Sequence, residues 1–301
     1  MWIDELNDLA LLPRAQQYSA LQQLREKFSD SHDEQWNTAF GPTSLYEAWT
    51  QLPLMQGLYQ RNRAVIHETL HGRSDWHIVE IGGGNGALWQ GLLDTQQAGT
   101  LTLIDPHAEA HTAVAARLPG NVTFRPIVAS AEHAEMPDAD VIVCSLTLHH
   151  VAGLDSAQRR NFGLEGDGKA EILRRCVAAM RRHDGIGLLN EADCYNELDL
   201  PPGDPVLVDH FLDVYVRRTA RAIAHASEQA GVDAQLRKAW EAILDHWCLD
   251  QVDNAFLPRE QRDVYELDAV HWIDLLHQAG AQQVAHCYTD EWNLFQQYAF
   301  R

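Results

Sequence analysis

Hydrophobic positions in the first 70 residues recur with the period of an α-helix. One run includes Leu21 and Leu24, and a second surrounds Trp49, where Pro53 is expected to kink or split the helix. The pattern therefore predicts that residues 1–70 are helical.

From Trp76 onward, short apolar runs alternate with amphipathic stretches, a pattern typical of strands separated by helices. The predicted strands are 76–81, 101–104, 122–128, 141–146, 186–189, 283–288 and 294–300. The predicted helices between them run through Leu88–Leu93, Ala113–Leu118, Ala170–Arg182 and Ala269–Ala279, and residues 206–248 are predicted to be helical again. Such alternation indicates right-handed βαβ units and a mainly parallel sheet.

The charge balance disfavours two classes of partner. The chain has 43 acidic against 23 basic residues and a formal net charge of -20. Phosphate backbones and anionic membrane surfaces are repelled by such a field, so we expect neither a nucleic-acid nor a membrane partner.

Cysteine usage and the start of the chain bear on location. The five cysteines are scattered without a C-x-x-C pair, which predicts reduced thiols in a cytoplasmic protein. The first residues are acidic where a secretory signal would be basic, so no export signal is expected. The sequence leaves a homodimer open.

The segment 79–86, Val-Glu-Ile-Gly-Gly-Gly-Asn-Gly, directly follows the first predicted strand and is expected to open a helix. Glycines permit positive φ angles and let a ligand lie against bare backbone. In doubly wound sheets, ligands bind outside the carboxyl ends of the strands. Gly82, Gly84 and Gly86 have the spacing G-x-G-x-G, which differs from the G-x-G-x-x-G of dinucleotide-binding turns and argues against an NAD-dependent oxidoreductase.

With Glu80 two residues ahead, this segment resembles the first motif of class I S-adenosylmethionine (SAM)-dependent methyltransferases. The resemblance implies an α/β three-layer sandwich with a seven-stranded, mostly parallel sheet, completed by an antiparallel hairpin of the last two strands. It also implies SAM as the cofactor, bound across the carboxyl edge of the sheet.

The resemblance assigns cofactor contacts beyond the three glycines. Glu80 would orient the first turn and help to hold the methionine amino group, and Asp105, which ends the second strand, would accept hydrogen bonds from the ribose hydroxyls. The family usually has an Asp after the third strand for the adenine, where this chain offers Ser130 or Glu132. Ser145, on the family-like fourth strand, completes the predicted cofactor-binding set.

His149 and His150 end the fourth strand, and Glu191 follows the fifth. Any of these three could take a proton from an acceptor group, because all lie at the same predicted edge. Asn190 and Asp193 are weaker candidates for contact with the acceptor.

No metal site is predicted. His107 and His111 lie four residues apart and could share a helix face, but no third ligand is evident. The chain also lacks H-E-x-x-H, nucleophile-elbow and P-loop motifs.

The resemblance divides the chain into an N-terminal helical lid (1–70), a SAM-binding α/β core (71–195), a helical insertion or cap (196–262) and the completion of the core (263–301). It implies methyl transfer to a small-molecule, secondary-metabolite-like acceptor. Three alternatives remain at this point: cyclisation of SAM to an azetidine-2-carboxylate type of amino acid with release of methylthioadenosine, a nicotinamide-dependent oxidoreductase, and an inert SAM-binding module.

Overall fold

The computed structural model describes residues 2–28, 45–94, 96–151, 167–180, 184–194, 200–229, 231–262 and 264–301. Its strands are β1 (Trp76–Ile81), β2 (Gly99–Asp105), β3 (Val122–Val128), β4 (Val141–Ser145), β5 (Ile186–Ala192), β6 (Val284–Thr289) and β7 (Phe295–Phe300). Its α-helices are α1 (Trp2–Leu11), α2 (Arg14–Phe28), α3 (Leu45–Thr50), α4 (Pro53–Leu70), α5 (Ala108–Ala115), α6 (Asp167–Met180), α7 (Pro205–Phe211), α8 (Arg221–Glu228), α9 (Ala234–Asn254) and α10 (Ala269–Gln278). Across these ranges, no helix combines the length and the apolar character needed to cross a lipid bilayer.

The seven strands form one sheet in the order β3-β2-β1-β4-β5-β7-β6. Strands β1 to β5 pair in parallel, whereas β7 is antiparallel to both β5 and β6. The predicted fold class, with its seven-stranded, mostly parallel sheet and terminal antiparallel hairpin, is confirmed.

The central strands are apolar because both faces of the sheet are covered. Every residue of β5 is buried, and successive residues of β1 pack against opposite layers. Val79 faces an apolar cluster that includes Leu173 of α6 and Trp272 of α10, whereas Ile78 faces a cluster that includes Ile66 of α4. Continuous apolar runs are typical of parallel strands buried in this way.

The two helical regions outside the sheet pack together. A third apolar cluster contains residues of α1 to α4, of α7 to α9, and of the sheet at Ala192 and Phe295. Trp240 of α9 also donates its indole N–H to the backbone carbonyl of Ala48 in α3, at 2.8 Å. The helices therefore form one layer, which we call the cap, over the end of β5 and the start of β7.

The prediction of an α-helix after Gly86 is wrong. Ala87–Trp89 forms a single 3₁₀ turn instead, and the chain continues in turns. The Arg63 guanidinium donates to the carbonyls of Ala87 and Leu88, at 2.8 and 3.0 Å, so these oxygens have a partner outside a helix. Gly91 then has a left-handed backbone (φ 71°), which an α-helix does not permit.

Other element bounds differ less from the prediction. The helix predicted over Ala113–Leu118 begins five residues earlier, at Ala108. Pro53 splits the early helical stretch, which is one of the two predicted outcomes. It lies in the first turn of α4, where a backbone N–H would have no partner within the helix, so the missing N–H does not destabilise the helix. The stretch 206–248 contains a π-helical segment, Leu212–Ala220, between α7 and α8. The predicted boundary between residues 195 and 196 lies outside the described residues.

We predict that Gly187→Ala destabilises the protein by about 1–3 kcal/mol, the usual cost of overpacking a core. A Cβ at Gly187 would lie 2.2 Å from the Phe300 ring, which is 1% exposed and cannot move aside. Gly120→Ala is the matched control, because its Cβ would meet no described atom within 4 Å. Urea unfolding measures both variants, and equal stabilities would contradict the described packing of β5 against β7.

Candidate active site

The loop after β1 is shaped by three glycines with left-handed backbones, Gly82, Gly84 and Gly86 (φ 73°, 51° and 74°). A Cβ on Gly82 would lie 2.2 Å from the Thr147 hydroxyl, and one on Gly86 would lie 2.8 Å from the Val114 backbone. By contrast, a Cβ on Gly84 would meet no described atom within 4 Å. The outer two glycines are therefore required by packing, whereas Gly84 presents bare backbone to open space.

Asp105 braces this loop from the end of β2. Its Oδ2 accepts a hydrogen bond from the Gly83 N–H at 3.1 Å, and its Oδ1 accepts one from the His107 N–H at 2.8 Å. The residue is 5% exposed. A carboxylate has about four lone-pair sites, so each oxygen can accept one further bond.

Glu80 lies beneath the loop and is 2% exposed. Its Oε2 accepts a hydrogen bond from the Trp89 indole N–H at 2.6 Å. The pKa of this carboxyl is raised to about 8. Burial is the largest cause and the charge of Asp105 adds to it, whereas the hydrogen bond from Trp89 opposes the shift. Glu80 is therefore largely protonated at neutral pH in the ligand-free protein.

Glu191 organises the turn after β4. Its Oε1 accepts hydrogen bonds from the backbone N–H groups of Thr147 and Leu148, at 3.1 and 2.7 Å, and its Oε2 lies 2.7 Å from Nδ1 of His149. Glu191 is only 1% exposed, so its carboxylate is buried behind the turn. The structure thus places Glu191 behind His149.

Two histidine rings follow this turn, with centroids 4.2 Å apart. Burial lowers the pKa of His149, but the charge of Glu191, its hydrogen bond and the charge of Glu266 outweigh burial and the opposing charge of Lys169, so the net pKa is raised. His150 is the more exposed of the two rings. Because Nδ1 of His149 faces Glu191, Nε2 is the nitrogen left to exchange a proton.

The remaining predicted cofactor residues lie along the same edge. The Ser130 hydroxyl is paired with Nδ1 of His133 at 2.8 Å, whereas the half-buried Glu132 side chain makes no hydrogen bond within the described ranges. Ser145 is half-buried at the end of β4, and its carbonyl accepts a hydrogen bond from the Thr147 hydroxyl at 3.0 Å.

The weaker candidates for acceptor contact, Asn190 and Asp193, both form hydrogen bonds within the fold. Asn190 is 0% exposed, and its amide bonds Asn62 and Gln297, so it has no access to a bound molecule. The Asp193 carboxylate accepts a hydrogen bond from the Ala269 N–H at 3.0 Å.

The paired histidines of the second βα unit do not act together. The buried His111 ring lies 2.9 Å from the Asp105 carbonyl through Nε2. His107 is exposed just before α5.

One contact at the loop was not foreseen from the sequence. The Glu47 carboxylate of α3 accepts a hydrogen bond from the Asn85 amide at 2.9 Å and forms an ion pair with Arg117 at 2.6 Å. These partners are 38 and 70 residues away, so no local pattern could indicate the contact. The cap therefore contacts the glycine loop directly.

Part of the chain that carries this site is similar to a known protein family. Residues 79–162 match the model of a methyltransferase domain family. This segment contains the glycine loop, Asp105 and the two histidines. No curated protein matches the chain.

Several solved structures are similar over most of the chain. An O-methyltransferase candidate from Nostoc punctiforme is 12% identical with a TM-score of 0.46, covering 99% of this chain and 71% of its own. A SAM-dependent methyltransferase from Leishmania major is 15% identical with a TM-score of 0.45, at 89% and 90% coverage. The N-methyltransferase NodS from Bradyrhizobium japonicum, in complex with S-adenosylhomocysteine, is 13% identical with a TM-score of 0.44, at 94% and 97% coverage.

The family match confirms the resemblance read from the glycine motif, and it indicates SAM as the cofactor. The matched segment begins in β1 at Val79 and passes through β4 to the two histidines, so the similarity covers the strands whose ends carry the glycine loop and Asp105.

Proposed function

We propose that the protein transfers the methyl group of SAM to a small-molecule acceptor. The observation that carries this proposal is the open space over Gly84, beside a carboxylate at the end of β2. His149 follows β4, so its proton-accepting nitrogen belongs to the same carboxyl edge of the sheet. The methyltransferase-domain match supports the same conclusion.

The residues around the loop fit SAM chemically. Asp105 retains acceptor capacity for two ribose hydroxyls, and the backbone of Gly84 allows a ligand to approach closely. The Glu132 carboxylate, which has no hydrogen-bond partner among the described residues, can accept a bond from the adenine amino group, whereas Ser130 is already paired. Glu80 acts mainly through the loop that it supports, and it becomes charged when the methionine ammonium approaches.

SAM, when bound, supplies an activated methyl group, so the protein has to orient the acceptor, exclude water and accept a proton. We assign the proton to Nε2 of His149, whose Nδ1 is held by Glu191. The buried Glu191 carboxylate then stabilises the imidazolium that forms. Glu191 is therefore a positioning residue, and His149 is the proposed base.

A small acceptor fits the surroundings of the site better than a polymer does. The cap lies over the ends of β5 and β7, and its contact from Glu47 to Asn85 brings it against the glycine loop. The net charge of -20 repels nucleic acid.

The direct test measures S-adenosylhomocysteine release from SAM with a panel of small hydroxyl, amine and thiol compounds. Turnover with any acceptor supports the proposal. Methylthioadenosine formed from SAM alone would instead indicate cyclisation. Binding of SAM without either product would indicate a binding module, and absence of SAM binding by calorimetry would overturn the whole assignment.

We predict that Asp105→Ala weakens SAM and S-adenosylhomocysteine binding by about 10–100-fold, because hydrogen bonds to a charged group contribute about 1.5–3 kcal/mol. The matched control is Glu109→Ala, which removes an exposed carboxylate from the adjacent helix α5. Calorimetric titration compares the variants. Unchanged affinity in Asp105→Ala would exclude the ribose role of this residue.

We predict that His149→Asn lowers kcat by about 10²–10⁴-fold, the usual contribution of general-base catalysis, and leaves the Kd for SAM unchanged. Wild-type activity should rise with pH as His149 loses its proton, in a range that Glu191 and Glu266 shift upward against burial and the charge of Lys169.

In Glu191→Gln the dependence of activity on pH should shift to lower pH, because the anion that raises the pKa of His149 is removed. His133→Asn, which changes an exposed histidine at the edge, is the control. A Glu191→Gln variant whose rate falls without any change in its pH profile would assign Glu191 a purely structural role.

We predict that Glu80→Gln removes a pH dependence of stability. The folded-state pKa of Glu80 is raised from 4.5 to about 8, so the native protein binds more protons than the unfolded chain between these values. Wild-type stability therefore falls as pH rises from about 4.5 to 8, and this contribution should be absent in the variant. Urea unfolding at pH 5 and pH 8 measures the difference, and parallel pH profiles of the two proteins would refute the raised pKa.

A further inference from the structure

A second group of polar side chains lies where the cap meets the sheet. Cys194 follows β5, His210 lies in α7, and Glu266 lies shortly before α10. The thiol sulfur, a ring nitrogen and a carboxylate oxygen all lie within 4.8 Å of one another. Cys194 and Glu266 are buried, at 2% and 6% exposure, and His210 is half-buried.

One atom of this group is unsatisfied. Nε2 of His210 is buried, and within the described ranges it has no hydrogen-bond partner. Leaving a polar atom in this state costs about 1–3 kcal/mol, so such an atom in a native protein calls for a bound ion or water. A neutral imidazole ligates a metal through such a nitrogen.

The other two groups are also suited to a cation. The Cys194 sulfur and a carboxylate oxygen of Glu266 lie within 4.8 Å of one another. A divalent cation would replace the thiol proton, because metal binding releases protons from its ligands. The Tyr215 hydroxyl donates to Glu266 at 2.9 Å and fixes the carboxylate, as partners of metal ligands commonly do.

Arg218 is a cationic side chain whose charge acts on this group, but its own bonding partners lie outside the group. Arg218 donates to the carbonyls of Asp193 and Asn293, at 2.9 and 2.7 Å, and pairs with Asp213 at 3.1 Å. A thiolate at Cys194 and the carboxylate of Glu266 would balance a divalent ion.

We propose that Cys194, His210 and Glu266 bind Zn²⁺, with the fourth coordination position open. Sulfur, imidazole and carboxylate together favour this borderline-soft ion over Mg²⁺ or Ca²⁺, which prefer oxygen ligands. Zinc–ligand distances of about 2.0–2.3 Å imply ligand separations of roughly 3.3–3.8 Å, so a pair at the 4.8 Å limit would have to close by about 1–1.5 Å.

The ion also has a route to this position. His210 lines a cavity of about 550 Å³ between α2 and α7, which is also lined by Asp209 and Asp213. Arg14 and Arg217 line the same cavity and pair with these two acids, so the attraction of cations comes from the net charge of -20 of the whole protein. Zn²⁺ would thus join the end of β5, the cap and the segment before α10, and this role does not depend on methyl transfer.

The test uses the full chain, freed of metal with a chelator and then titrated with Zn²⁺ and with Co²⁺. We expect one equivalent of tightly bound metal by elemental analysis, and a thiolate-to-cobalt absorption band with the intensity of a tetrahedral site. Zn²⁺ should also raise the Tm.

Cys194→Ser should abolish the absorption band. It should also weaken Zn²⁺ binding by more than the roughly 10–100-fold that is lost when a residue that hydrogen-bonds a metal ligand is replaced. Cys287→Ser is the matched control, because that half-buried thiol lies on β6 and bonds a backbone carbonyl. It should bind as the wild type does.

His210→Gln provides a second variant in case Cys194→Ser does not fold, and it should lose the Zn²⁺-dependent rise in Tm. Folded wild-type protein that binds no stoichiometric metal would overturn the proposal. A cobalt–thiolate band that persists in Cys194→Ser, or that is lost in Cys287→Ser, would do the same.

Discussion

The backbone pairing of β1 between β2 and β4 determines where each candidate ligand group lies. Ile81 is in register with Ile104 on one side and with Cys144 on the other, so all three strands end at one edge. The Gly82 N–H continues the ladder by donating to the Ile104 carbonyl at 3.0 Å. The glycine loop, Asp105 and the turn before His149 are consequences of this register, because each follows its strand end within a few residues.

Three buried acids at this edge are stabilised mainly by burial and by backbone donors, and Glu191 also pairs with His149. Glu80 is largely protonated at neutral pH because of its burial, whereas Asp105 and Glu191 each accept two backbone N–H bonds. An edge built from acids and backbone donors suits a ligand that carries an ammonium and a sulfonium. The same arrangement turns Nδ1 of His149 toward Glu191, which separates the proposed base from the groups proposed to hold the cofactor.

The cap links the two proposed sites. Its helices share one apolar cluster with the end of β5, and Glu47 connects it to Asn85 in the glycine loop. Cys194 and His210 lie at the opposite joint, where the cap leaves the sheet. Closure of the cap over a bound molecule would therefore be constrained at two points, by a hydrogen bond near the cofactor loop and by a polar cluster behind the histidine turn.

The sequence by itself determined the strands, the glycine turn of residues 79–86 and the position of Asp105, because periodicity, positive φ and strand ends are local properties of the chain. It did not determine the absence of a helix after Gly86, which depends on Arg63 more than twenty residues earlier. The pairing of Glu191 with His149 likewise spans 42 residues. Only the tertiary structure decided such contacts, since packing brings together side chains whose spacing along the chain carries no signal.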